Sequence, residues 1–170
     1  MTDSGTADSV DRIIAQWGQV RPGLDVSAMG ILGRLSRLTR HFERDLIELF
    51  AQHGLQRGEF DLLATLMRAD VDGRGLTAGE LAGSAMVTSG AITNRLDRLV
   101  AKDLVTRETD PSSRRTIRVA LTERGRETID AALHDHVANE ERLLSTLTAG
   151  QRTQLEELLR ALLYEYERST

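Results

Sequence analysis

Along the first half of the chain, apolar residues recur at three- and four-residue steps, the spacing of helices with one buried face. A short helix over about residues 8 to 20 ends at Arg21-Pro22-Gly23, where proline lacks a donor and glycine disfavours helix. From Ala28 to His53 the positions Ile31, Leu35, Leu38, Phe42, Leu46 and Leu49 form one stripe, and Gly54 stands where a helix stops. A helix of some 25 residues is roughly 38 Å long, more than a chain of this size covers alone, so the stripe predicts a partner helix. A third amphipathic helix spans residues 57 to 69, followed by turn chemistry from Asp70 to Gly75.

Thr77 and Glu80 then form a capping box, with Leu76 and Leu81 placed as its hydrophobic staple, and predict a short helix over about 77 to 84. After the turn Ala85-Met86-Val87, Thr88 or Ser89 caps a helix to about Lys102, with Ile92, Leu96, Leu99 and Val100 on one face. Two short helices so closely joined outline a helix-turn-helix. The period then changes. Leu104 to Arg107 and Thr116 to Leu121 read as strands of a hairpin whose basic tip runs from Glu108 to Arg115, with Asp110-Pro111 as turn former. Two helices close the chain. One runs from about Glu123 to Leu147; the other, behind the capping box Thr148 to Gln151, runs from about Ala149 to Arg168, with Leu155, Leu158, Leu159, Leu162, Leu163 and Tyr166 on one side.

With 170 residues, 40% of them apolar and 28% charged, the chain has the composition of one soluble domain with its own core. It contains no cysteine, which excludes disulfides, thiol nucleophiles, zinc ribbons and iron–sulfur clusters. The N-terminus is acidic and polar, and no window approaches the roughly 18 apolar residues of a bilayer span, so a cytoplasmic protein without a membrane partner is expected. The net charge of −4 argues against a nucleic-acid partner until it is divided by segment. Between Arg95 and Arg118 seven basic residues face four acidic ones.

A helix-turn-helix lays its second helix in the major groove. Here that helix begins with Thr88, Ser89, Gly90, Thr93 and Asn94, small and polar, with Arg95 and Arg98 following for phosphates or guanine edges. Behind it, Arg114 and Arg115 of the hairpin tip are placed for a neighbouring minor groove. Any one of these arginines would be equally at home on a solvated face. It is the sequence of capped helix, turn, polar second helix and basic hairpin that points to double-stranded DNA.

The stretch LTAGELAGSAMVTSGAITNRLDRLVAKDLVTRETDPSSRRTIRVALTERG resembles the winged helix-turn-helix of the MarR family of regulators, DPSSRR being its most specific part. The resemblance implies a mostly α (α+β) fold, a winged helix-turn-helix with flanking dimerisation helices and an extra N-terminal helix. It implies a single domain over 1–170, with N-terminal and dimerisation helices over 8–54, the winged helix-turn-helix over 57–121 and C-terminal dimerisation helices over 122–170. A homodimer would read a pseudo-palindrome, one recognition helix per half-site. The family places an acidic residue two positions before the minor-groove arginine. Ser113 stands there, before Arg115, so that the arginine is expected to be either more mobile or held by Asp110 instead.

Asp61 and Arg68 lie seven apart on a predicted helix, on one face but about 10.5 Å apart, too far to pair directly. Bare spacing of this kind is common on wet helix faces, and Trp17 taken alone reads as a core anchor. The resemblance extends, however, to the urate-responsive, PecS-like branch of the family. That branch is marked by an added N-terminal helix bearing a tryptophan, by an aspartate and arginine seven apart on a later helix, and by an arginine closing the strand after the recognition helix. Trp17, Asp61, Arg68 and Arg107 occupy those places, and VDRIIAQWGQVRPGLDVSAMGILGRLSRL is similar as well. It implies a repressor released from its operator by a small anionic ligand, urate or a related purine, stacked on the indole and bonded by guanidinium groups. The alternatives are a MarR-type repressor answering to a phenolic or other aromatic acid, and a non-catalytic dimeric scaffold.

Gly73-Arg74-Gly75 misses the dinucleotide pattern by one place, and Asp70-Val71-Asp72-Gly73 starts a calcium loop that has Leu81 where a glutamate is required. His134 and His136 are two apart, on different helix faces. No catalytic set, metal site or cofactor emerges, so no enzyme is expected.

Overall fold

The structure, a computed structural model, describes residues 7–84, 89–110 and 113–168. The chain forms two compact units, one up to Ile47 and one from Glu48 onward. No helix among the described residues is long and apolar enough to cross a membrane.

The first unit holds α1 (Ser9–Val20) and most of α2 (Ser27–Gln52). The Asp8 carboxylate accepts the N–H groups of Val10 and Asp11, while Asp11 returns the bond to the Asp8 N–H. Arg34 on α2 donates to both carboxylates, at 2.8 Å to Asp8 and 2.6 Å to Asp11. Its charge thus meets the anionic start of α1. Gly30 and Gly33, on one face of α2, let the helices approach. A Cβ at Gly33 would stand 3.3 Å from Val10 Cγ1, and one at Gly30 equally close to Ile14 Cδ1. Val10 is buried there, whereas Trp17 is 39% exposed and anchors no core.

The second unit comprises α3 (Arg57–Ala69), β1 (Leu76–Thr77), α4 (Ala78–Ser84), α5 (Ser89–Ala101), β2 (Val105–Asp110), β3 (Ser113–Leu121), α6 (Glu123–Leu143) and α7 (Ala149–Glu167). The three strands form an antiparallel sheet in the order β1-β3-β2. Leu62, Leu63 and Leu66 of α3, Leu81 of α4, Ile92, Leu96 and Leu99 of α5, Val119 of β3 and Ile129 of α6 make the core. Phe50 stacks on Phe60 at its edge, centroids 4.1 Å apart. This is the winged helix-turn-helix that the patterning predicts, and both capping boxes form. Glu80 accepts the Thr77 N–H at 2.7 Å, and Gln151 accepts that of Thr148 at 2.8 Å.

Three elements differ from what the pattern predicts. The strand β1 has no counterpart among the predicted elements. It forms because Gly75, at φ +77°, brings the chain beside β3 so closely that a Cβ there would lie 2.8 Å from the Val119 carbonyl oxygen. The charged run Glu108 to Asp110, expected in the hairpin tip, is ladder, because its backbone pairs with β3 while its side chains stay mostly exposed. The helix α6 stops at Leu143, and Leu144 to Leu147 form a turn instead of its last residues. Thr88 and the turn Ala85-Met86-Val87 lie outside the described residues, as do Pro111 and Ser112 of the tip and the side chains of Ser89, Gly90 and Arg114. The apolar stripes of the two long outer helices are left uncovered among the described residues. Helix α7 buries none of its residues, and Ile31 and Leu38 of α2 remain exposed.

Candidate nucleic-acid interface

The second helix of the helix-turn-helix, α5, turns Ile92, Leu96 and Leu99 inward. It is held at both edges. On one edge Arg95, Arg98 and Lys102 face α3, because steps of three and four place them in a row. Arg98 donates Nε to Glu59 at 3.1 Å, and Lys102 donates to the other Glu59 oxygen at 2.7 Å and to the Gly54 carbonyl at 2.8 Å. Glu59 is wholly buried. Burial pushes its carboxyl up, but Lys102, the Gln56 N–H and Arg98 outweigh that and hold it below the usual glutamate range. Arg95 lies over Gly58, where a Cβ would come within 2.4 Å of its Cζ, and its Nη1 is enclosed with no hydrogen-bond partner among the described residues. On the other edge, Arg107 reaches from β2 to Asp97 at 2.6 Å and to the Thr93 carbonyl at 3.4 Å.

Among its described side chains α5 offers outward Thr93, Asn94, Asp97 and part of Arg98, whose side chain keeps 45% of its surface, and Val100, expected on the inward face, is 40% exposed. Arg115, on β3, is exposed and forms no ion pair among the described residues. Of the two alternatives, the pair with Asp110 does not form. The carboxylate of Asp110 is taken by Arg118 at 2.5 Å, and Ser113 accepts the hydroxyl of Thr116 at 2.9 Å.

Next to α5 lies a charged cluster on α3. Asp61 is half-buried. Desolvation raises its carboxyl above the usual aspartate value even though Arg57, Arg95, His136 and Arg68 all pull it down. Arg68 shares that neighbourhood but makes no direct pair with Asp61. It donates instead to the Ser84 carbonyl, at 2.5 Å, at the end of α4. His136 of α6 packs against Phe50 and Phe60, with Nε2 3.3 Å from Glu140 and Nδ1 enclosed with no hydrogen-bond partner among the described residues. Of the four residues expected at a ligand, Asp61 and Arg68 share this cluster, Arg107 grips α5 instead, and Trp17 belongs to the first unit. No group of metal-ligating side chains occurs among the described residues.

Sequence reasoning missed Glu59, Gly58 and Arg118, and weighed His136 only as a metal ligand. For Glu59 a signal existed, since Arg98 and Lys102 are four apart on the apolar flank of their helix and need a buried anion between them. Gly58 and His136 carry no pattern; only packing identifies them.

The geometry agrees with comparisons to known proteins. The family model described as MarR matches residues 55–117. The HTH-type transcriptional regulator PecS of Dickeya dadantii is 33% identical over 150 residues, 88% of this chain and 90% of that protein. The crystal structure of AbsC, a MarR family regulator of Streptomyces coelicolor, has a TM-score of 0.75 at 24% identity, covering 86% of this chain and 98% of that one. A mutant MarR from E. coli, solved in complex with operator DNA, has a TM-score of 0.66 at 28% identity and covers 86% of this chain and 97% of that one.

Proposed function

The chain belongs to the MarR family of DNA-binding transcriptional regulators, and from that premise we propose that it is a homodimeric repressor, released from a pseudo-palindromic operator by urate or a related purine anion. It is a regulator and not an enzyme, as its relatives are. One recognition helix α5 per subunit enters the major groove. There Thr93, Asn94 and Arg98 join the residues before them in sequence, Thr88, Ser89 and Gly90, and Arg114 or Arg115 reaches the minor groove beside it.

The observation that supports the effector half is the state of Asp61. A carboxyl already raised by desolvation, among cations that include Arg95 of α5, is poised to respond to a new anion. A bound urate adds negative charge beside it. Asp61 then takes up a proton and donates to the ligand, or is repelled from it. Either way the cations redistribute, and two of them sit where they matter. Arg95 is part of α5, and Arg68 holds the end of α4. An anion that prefers the rearranged cluster thereby disfavours the DNA-competent one. Arg107, bonded to Asp97 and Thr93, carries the same disturbance along α5.

The test is urate titration of the protein on a duplex that it has itself selected from a randomised pool, with Trp17 fluorescence read in parallel against free tryptophan. Release at micromolar urate, lost in Arg68→Ala while DNA binding survives, is the expected result. A complex intact at millimolar urate removes the effector and turns the search to other aromatic acids. Failure to select any duplex removes the DNA reading itself.

A further inference from the structure

Arg118 belongs neither to the recognition helix nor to the wing tip, yet it joins three separate parts of the DNA-binding unit. It lies in the middle of β3, opposite Thr77 of β1 and Glu108 of β2. Its Nε donates to Asp110 at 2.5 Å, while Nη1 donates to the Gly75 carbonyl at 2.9 Å and stands 3.5 Å from Glu80. Both members of the Arg118–Asp110 pair are largely buried, with 18% and 10% of their side-chain surface exposed.

Each of those partners fixes a different part of the DNA-binding unit. Asp110 is the last residue of β2, where the register slips so that it faces Ser113 at the root of the wing tip. Gly75 is the tight turn into β1, its own N–H bonded to Asp70. Glu80 is the capping carboxylate of α4, the first helix of the helix-turn-helix. A guanidinium is suited to such a junction, because its planar fork presents donors in several fixed directions at once. At the tip, in contrast, Ser113 is spent on Thr116 and has no charge to offer Arg115.

We propose that Arg118 is a positioning residue for DNA binding. By tying Asp110 to the turn before β1 and to the cap of α4, it sets the angle at which the wing delivers Arg115 to the minor groove. This rests on the reading of the wing as a DNA contact. The brace stands at the base of the hairpin instead of its tip, and Arg118, flanked by two carboxylates and mostly buried, touches no phosphate itself.

A double-mutant cycle on the self-selected duplex tests this, with affinity measured across salt concentrations for the full-length wild type, Arg115→Ala, Arg118→Gln and the double variant. Arg118→Gln should weaken binding roughly tenfold and flatten the salt slope by about one, as losing one wing contact does. In the Arg115→Ala background it should add almost nothing. Asp110→Asn should reproduce Arg118→Gln and guards against a misfolded variant, thermal unfolding being recorded for each. Two independent factors that multiply would overturn the proposal, because Arg118 would then act through general stability or its own DNA contact. If Arg115→Ala alone leaves affinity unchanged, the wing reading falls and this inference with it.

Discussion

Two carboxylates on α3, two residues apart, meet burial with opposite outcomes. Glu59 is desolvated completely but is bonded by Lys102, Arg98 and the Gln56 N–H, so its folded value lies below its unfolded one. Asp61 is desolvated without any such direct bond and feels Arg57, Arg95, His136 and Arg68 only through space, so its value is raised. The signs follow from linkage. Glu59 contributes stability that is present above the ordinary carboxylate range and is lost as pH falls through its lowered folded value. Asp61 costs stability once pH rises through the ordinary range, fully so above its raised folded value. Asp61→Asn should therefore raise the melting temperature at neutral pH and lose that advantage near pH ~4, the ordinary aspartate range, as thermal scans of both proteins across pH will record. Arg98→Ala combined with Lys102→Ala leaves Glu59 buried and unpaired, which costs about 3 kcal/mol. Acidification should shrink that cost, the reverse of the wild-type trend. Asp61 is singled out by the family resemblance and not by its spacing to Arg68 alone, whereas for Glu59, in an ordinary Arg-Gly-Glu, the one signal was the Arg98 and Lys102 pair that packs onto it. Gly125 is equally silent in sequence, although a Cβ there would come within 1.9 Å of the Leu104 carbonyl oxygen. Gly125→Ala should cost about 3 kcal/mol in chemical denaturation, the upper end of ordinary overpacking, because the obstacle is backbone.

At the scale of elements, what could be read in advance was local chemistry, and what could not was decided by neighbours. Capping boxes announce α4 and α7 because cap and first turn lie within four residues of each other. The strand β1 has no such signature, being two residues recruited by β3 through the Gly75 turn. The recognition helix was legible as a helix, but not the way its arginines lean. Arg95 and Arg98 read as free cations for DNA, and both are drawn toward α3, one over Gly58 and one onto Glu59. Gly58 is what gives Arg95 its place. Gly58→Ala should be nearly neutral or stabilising by up to about 1 kcal/mol, since the obstructing group is the end of a flexible side chain and alanine favours helix. The displaced Arg95 then faces solvent beside α5. Affinity for the selected duplex should become more salt-dependent, by up to about one unit of slope. An unchanged slope would mean that Arg95 has no phosphate within reach and serves only the cluster around Asp61.

For the molecule as a whole, charge and burial each need to be divided before they mean anything. A net charge of −4 conceals a basic stretch from Arg95 to Arg118 that spans recognition helix and wing. A helix of 19 residues with no buried side chain, as α7 is here, would be marginal by itself in water. Leu158 is 65% exposed and Leu162 51%, on the same face as Leu155 and Leu159. The stripe of α2 likewise leaves Ile31 and Leu32 exposed at 63% each. Apolar area of this extent on two long helices is what an obligate interface supplies and a finished monomer surface does not. The homodimer proposed above would cover it with a second copy of the chain and would at once provide the second recognition helix that the proposed palindrome requires. Leu158→Glu with Leu162→Glu places two charges on that face. Sedimentation should then report a monomer, and far-UV circular dichroism a loss of helix corresponding to α7. Each subunit would keep its intact helix-turn-helix but hold one half-site alone. Binding of the full duplex should fall by about a hundredfold or more, because the second contact is no longer intramolecular. Unchanged affinity in a proven monomer would assign operator recognition to a single recognition helix and wing, and the exposed leucines to some other partner.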